Sequence, residues 1–143
     1  FALVKSHLKD DGVMVVNMNM RGTKEGNINQ YLSDTIGSVF TTEVIVDVAG
    51  SSNRELFASD DPDIGKNLTK HTGELTNANL KNMMQEVASN LTEYQKGNYI
   101  LTDDQAPVEL LGMQVIDELI KDEVQYYKDI YKERGIKGLM ESL

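Results

Sequence analysis

The sequence predicts an α/β fold in which a sheet-forming first part is followed by a mainly helical second part. Three observations carry this reading. Val13 to Met18 (VMVVNM) is a near-continuous apolar run placed directly after Gly12. Glu43 to Val48 (EVIVDV) and Asn53 to Ser59 (NRELFAS) flank the short turn Ala49-Gly50-Ser51-Ser52, the pattern of a β-hairpin. Leu80 to Tyr94 and Val108 to Tyr131 repeat apolar residues at spacings of three to five, which is helical periodicity.

Each element follows from local pattern. Leu3, Val4 and Leu8 share a helical face, and Asp10-Asp11-Gly12 break that first helix. The run from Val13 reads as a strand buried on both faces, as in a parallel sheet flanked by helices. Arg21 to Glu25 is expected to be a loop. Ile28, Tyr31, Leu32, Ile36, Val39 and Phe40 then recur at helical spacing. The two strands of the hairpin follow. Asp60 to Asn77 is polar, holds Gly65 and Gly73, and has little period, so it is expected to be a surface loop or lid. Asn77 or Asn79 caps a helix carrying Leu80, Met84, Val87, Leu91 and Tyr94, which Gly97 ends. Tyr99-Ile100-Leu101 is a short extended piece. The last helix runs from Val108 to Arg134-Gly135, with one further turn expected in the tail. The domain reading is therefore one partial domain over 1–143: residues 1–60 forming sheet, 61–76 a loop, and 77–143 mainly helical.

Composition narrows the function. With 143 residues, 40% apolar and 26% charged, the chain is long enough to bury a core and too apolar to be disordered throughout. A net charge of −9 repels phosphates, so nucleic acid is not an expected partner. There is no cysteine, which excludes disulfides, thiolate metal sites and cysteine nucleophiles and agrees with a reducing, cytoplasmic setting. No apolar run approaches the length that spans a bilayer. The first residue is Phe1 and already lies within an amphipathic pattern, so the natural protein is expected to continue upstream. Any membrane attachment would come from such upstream segments, making this chain the cytoplasmic part of a membrane protein. His7 and His71 have no partner at ligand spacing and read as surface histidines. The sequons at Asn67 and Asn90 read as chance matches. No serine sits in a nucleophile-elbow pattern, and the methionines suit core packing.

Two segments carry a resemblance. Leu3 to Asn19 (LVKSHLKDDGVMVVNMN) resembles the helix, glycine turn and fifth strand of the class I S-adenosylmethionine-dependent methyltransferase fold, shared by the spermidine synthases. Ile100 to Glu109 (ILTDDQAPVE) resembles the TDD-x-APVE segment near the C-terminus of bacterial spermidine synthase-like proteins. The resemblance implies that the next helix and the hairpin are the fifth helix and the antiparallel sixth and seventh strands of that Rossmann-like sheet. It also implies a C-terminal portion of an aminopropyl- or methyltransferase acting on a polyamine or other small amine. Such enzymes hold decarboxylated S-adenosylmethionine or S-adenosylmethionine on a glycine-rich loop after the first strand. This sequence has no G-x-G-x-x-G, and Gly12, Gly22 and Gly26 follow the wrong elements. The chain alone is therefore expected to hold no cofactor and to be inactive.

Within that reading Asp103, Asp104 and Glu109 are candidates to bind the amine, since acids hold the ammonium and one can take a proton from the attacking nitrogen. The same residues suit a purely architectural role. Pro107 fits a first helical turn, Glu109 favours a helix N-terminus, and Asp103 or Asp104 can cap it. Asn17 and Asn19, at the carboxyl end of the first strand, fall where open α/β sheets place ligands, although polar residues also commonly end strands. Arg21 follows as a carboxylate partner. Two other readings stand beside the transferase. One is a non-catalytic interaction or scaffolding module that self-associates, because the stripe from Val108 to Tyr131 and an uncovered sheet edge invite a second copy. The other is an unrelated α/β enzyme built on Asn17, Arg21 and the acids.

Overall fold

A computed structural model describes residues 1–19, 22 and 24–142. In chain order the elements are α1 (Ala2–His7), β1 (Met14–Met18), α2 (Ile28–Gly37), β2 (Thr42–Asp47), β3 (Arg54–Ser59), α3 (Ile64–Glu74), α4 (Ala78–Ser89), β4 (Thr92–Glu93) and α5 (Val108–Ser142). The four strands form one sheet in the order β1-β3-β2-β4, and every ladder among them is antiparallel. The hairpin is present as expected: Thr42 to Asp47 pair residue by residue with Ser59 to Arg54. β3 then pairs on its other side with β1, with Val16 opposite Leu56.

The core forms where one face of this sheet meets α2. Met18, Ile36, Phe40, Leu56 and Ala58 make a buried cluster, and Leu8, Met14, Val16, Leu32, Val39 and Ile45 pack against it. The α2 helix starts because the Asn27 side chain accepts the Asn29 and Gln30 amides, satisfying two free donors of the first turn. Directly after β3, Asp60 accepts Lys5 Nζ at 2.9 Å, the Thr41 amide at 3.1 Å and Thr41 Oγ1 at 3.0 Å. It thereby ties α1 to the loop before β2.

Three expectations are corrected. First, β1 is not buried on both faces. It pairs on one side only, with β3. Its burial alternates along the strand, with Val13 and Val15 at 41% and 54% exposure. Met14, Val16 and Met18 face α2, while the opposite face is roofed only in part, so the apolar run reflects two differently covered faces.

Second, residues 61–76 are not a loop, because α3 spans Ile64–Glu74. Ile64 and Leu68 lie one turn apart and line a cavity with Val13, Val15, Val44 and Phe57 of the sheet, so tertiary packing holds a helix that two glycines weaken locally. Asp61 fixes its entry by accepting the Asp63 amide and Asn67 Nδ2.

Third, α4 ends at Ser89 with Asn90 as its cap. Thr92 and Glu93 then extend along β2, and the Tyr94 amide bonds Glu43 O at 3.0 Å. The free edge of β2 offers those backbone groups better partners than another helical turn does. Gly135 does interrupt the last helix as expected: its φ of 61° is outside the helical region, and a further helical stretch follows it.

Candidate functional site

The best-organised polar region joins α2 to the segment that leads into α5. Asp34, 1% exposed in α2, accepts the Tyr94 hydroxyl at 2.8 Å, the Gly97 amide at 2.9 Å and the Tyr99 amide at 2.9 Å. Thr35 Oγ1 accepts the Leu101 amide at 2.9 Å. The rings of Tyr31 and Tyr99 meet with centroids 5.0 Å apart, a geometry favourable to aromatic pairs. The Tyr99 hydroxyl donates to Glu25 at 3.0 Å. A segment without regular structure is thus fixed by side-chain acceptors on one helix face. Gly97 is required here, since a Cβ at that position would lie 2.6 Å from Asp34 Oδ2.

This anchored segment delivers the acidic turn. Thr102 and Gln105 exchange backbone hydrogen bonds of 3.2 and 3.0 Å, which places Asp103 and Asp104 at an exposed tip. Neither carboxylate makes a hydrogen bond to the start of α5, so the capping role is not seen among the described residues. Pro107 directly precedes Val108, and its carbonyl accepts the Leu111 amide at 3.0 Å, as a first-turn proline should. Glu109 is in the first turn of α5 and exposed.

An open cavity of ≈ 590 Å³ lies beside the turn, lined by Tyr31, Ile100, Asp104, Gln105, Ala106 and Pro107. An aromatic wall with one carboxylate is a chemistry that accepts an aliphatic ammonium. Of the sequence-predicted residues that are described, Asp104 lines this cavity. Asp103 and Glu109 flank it in sequence. Asn17 is exposed on β1 opposite Glu55, and Asn19 is exposed just beyond that strand. Arg21 lies outside the described residues.

Sequence reasoning missed two buried acids, Asp34 and Glu43, beside the segment that leads to the site. Asp34 carries the anchoring just described. Glu43 is 1% exposed, and neither of its carboxylate oxygens has a hydrogen-bond partner among the described residues. Burial pushes its pKa up to about 7, opposed by Lys96 and reinforced by Asp34. Lys96 instead donates to Phe40 O and Thr41 O at 2.7 and 2.9 Å. The Tyr94 hydroxyl is held well above its usual range, first by burial and then by its bond to Asp34. The one sequence signal was the place of Glu43 directly before the apolar run Val44-Ile45-Val46.

A second cavity, ≈ 480 Å³ and mostly apolar, lies between α3 and the open sheet face, with Asp11, Asp61 and His71 among its lining residues. Among the described residues no group of three or more His, Asp or Glu is arranged to hold a metal. No helix there is long and apolar enough to cross a membrane.

The chain is similar to a probable polyamine aminopropyl transferase of Bifidobacterium longum, with 43% identity over 161 aligned residues that take in the whole chain. The chain belongs with the spermidine synthase-like proteins. It spans 36% of that relative's length. The antiparallel β1-β3-β2 arrangement beside α2, followed by a C-terminal helix, agrees with the C-terminal part of the spermidine synthase-like methyltransferase fold. No family model matches the chain, and no solved structure matches it.

Proposed function

We propose that this spermidine synthase-like chain is the C-terminal part of an enzyme that transfers an aminopropyl or methyl group to a polyamine or other small amine. The observation that carries the proposal is the 43% identity to a protein named a probable polyamine aminopropyl transferase. Within it, Asp104 and Asp103 hold the cationic amine at the mouth of the cavity beside Tyr31, and one of them receives the proton lost by the attacking nitrogen. Glu109, Asn17 and Asn19 are proposed to have only supporting roles in substrate binding. The amine is small and positively charged, which suits a chain of net charge −9. The proposed setting is the cytoplasm.

The cofactor of such an enzyme, decarboxylated S-adenosylmethionine or S-adenosylmethionine, does not fit the described residues. All ladders are antiparallel, so they form no parallel-strand crevice. The start of α2, which follows β1, has its first amides taken by the Asn27 side chain, and Gln30 Oε1 accepts the Gly26 amide. Those donors are not free for a phosphate or carboxylate. No cofactor-holding residue is assigned in this chain, and the chain alone is proposed to be inactive.

Titration with spermidine, followed by amide chemical shifts, tests the amine site. Salt-sensitive shifts at residues 99–107 that vanish in the double variant Asp103→Asn, Asp104→Asn are expected. Unchanged shifts up to about 10 mM spermidine would rule the site out. Calorimetric titration with a decarboxylated S-adenosylmethionine analogue should show no heat of binding, and a dissociation constant near about 1 μM would overturn the cofactor assignment. A non-catalytic, self-associating module is the second reading, favoured by the exposed apolar stripe of α5.

A further inference from the structure

Glu43 and Lys96 sit side by side at the corner where α2 runs into β2. The Glu43 carboxyl is buried, and neither oxygen has a hydrogen-bond partner among the described residues. It lies against Gly37. A Cβ there would collide with Glu43 Oε2 and stand 3.0 Å from Cγ and Cδ of Lys96. The Lys96 stem therefore runs beside the carboxyl, while its ammonium donates to Phe40 O at 2.7 Å and Thr41 O at 2.9 Å. Lys5 donates to the neighbouring carbonyl of Val39 at 2.7 Å. Three successive carbonyls just past the end of α2 are thus held by two lysines, a place where cations are favoured.

The ionisable groups facing Glu43 leave Lys96 as its partner once it loses its proton. Asp34 of α2 accepts three hydrogen bonds and disfavours a second negative charge beside it. The Tyr94 hydroxyl, from the segment after β4, gives its proton to Asp34. Lys96 of the same segment is the cation acting on Glu43. A neutral carboxyl is tolerated in this place, but an unpaired buried carboxylate is costly. Burial pushes the Glu43 pKa up to about 7, so both forms are populated near neutral pH.

We propose that Glu43 and Lys96 form a proton-operated latch between the α2–β2 corner and the segment that delivers the acidic turn. With Glu43 neutral, the Lys96 ammonium is closed on the carbonyls of Phe40 and Thr41. When Glu43 gives its proton to solvent, the ammonium swings to the new carboxylate, and those two carbonyls are released. Asp34 keeps its hold on the Gly97 and Tyr99 amides in both states, so the segment stays attached while its tie to the corner opens. The Thr41 amide and hydroxyl bond Asp60, which also accepts Lys5, so the release reaches α1. The latch goes beyond the transferase reading and is independent of it.

Carbon-13 NMR of the whole chain, titrated from about pH 5 to about pH 9, tests it. The Glu43 side-chain carboxyl reports its own proton, and the backbone carbonyls of Phe40 and Thr41 report the ammonium. All three signals are expected to shift with one common midpoint near about 7. His7 and His71 also titrate in this range, and Glu43→Gln separates their effect: the Phe40 and Thr41 signals should then stay flat. In Lys96→Met the same two carbonyls should stay flat, while the Glu43 midpoint moves up because its neighbouring cation is gone. The titration of the unaltered chain decides the matter even where a variant does not fold. A Glu43 carboxyl that titrates without any movement of Phe40 and Thr41 would reduce it to a buried acid and overturn the latch. So would carbonyl shifts that persist in Glu43→Gln or in Lys96→Met.

Discussion

Glu43 and Asp34 are both fully buried acids, and they differ in what surrounds them. Asp34 receives three hydrogen bonds, which compensate its loss of water. Glu43 receives none among the described residues, and burial raises its pKa from 4.5 to about 7. A group that binds its proton more tightly when folded stabilises the protein at low pH. Its cost therefore grows as pH rises from the unfolded value near 4.5 to the folded value near 7, then levels off. The full span corresponds to roughly 3 kcal/mol. Glu43→Gln should flatten the stability–pH curve between these limits and raise stability at pH 8 by about 1–3 kcal/mol, measured by urea unfolding at several pH values. An unchanged curve would mean that Glu43 does not titrate there.

The same physics with opposite sign applies at Asp60, whose pKa is lowered, first by the Lys5 hydrogen bond. Its contribution is present above the unfolded value of 3.8 and is lost as pH falls through the lower folded value. Asp34→Ala would remove the acceptor for one hydroxyl and two amides, and a loss of about 2–4 kcal/mol is expected. Faster amide exchange at Gly97 and Tyr99, well beyond that on β3, is the specific signature; uniform acceleration would contradict the anchoring role.

At the level of elements, helices and strands here are held by neighbours more than by their own sequence. α3 contains Gly65 and Gly73, yet it exists because Ile64 and Leu68 meet the sheet face. α5 is joined to the body chiefly near its start. Val115→Ala should cost about 2 kcal/mol through the cavity it leaves. Amide exchange should quicken over residues 111–118 of α5 while β2 and β3 stay protected. If β2 and β3 quicken equally, α5 and the sheet form one cooperative unit. The acidic turn belongs to the same element boundary, so loosening α5 at Val115 should also weaken the spermidine-dependent shifts at Asp103 and Asp104.

At the level of the whole molecule, the chain has one compact sheet-and-helix core, a side-chain-anchored segment, and a long helix with an outward apolar seam. The relative it matches is much longer, and the chain spans 36% of it. The sheet face lined by Val13, Val15, Val44 and Phe57 and the exposed stripe of α5 are apolar surfaces left partly uncovered. Their presence in one molecule predicts concentration-dependent association and strong binding of an apolar dye such as ANS. A chain that stays monomeric and binds no dye would show that both surfaces are smaller in solution.

Sequence alone determined those features whose cause is local. The strands β1, β2 and β3, the helix α2 and the break at Gly135 all follow from side-chain period and turn residues, because alternation and helical spacing act over a few residues. The ILTDDQAPVE segment was equally legible and led to the family. Only tertiary structure decided that α3 is a helix, that Thr92 and Glu93 leave α4 to join β2, and that Asp34 and Glu43 lie buried beside the segment from Tyr94 to Tyr99. Those outcomes depend on which distant backbone groups and apolar faces become neighbours, with Asp34 and Tyr99 sixty-five positions apart. Periodicity within a segment does not encode the partner that segment will meet.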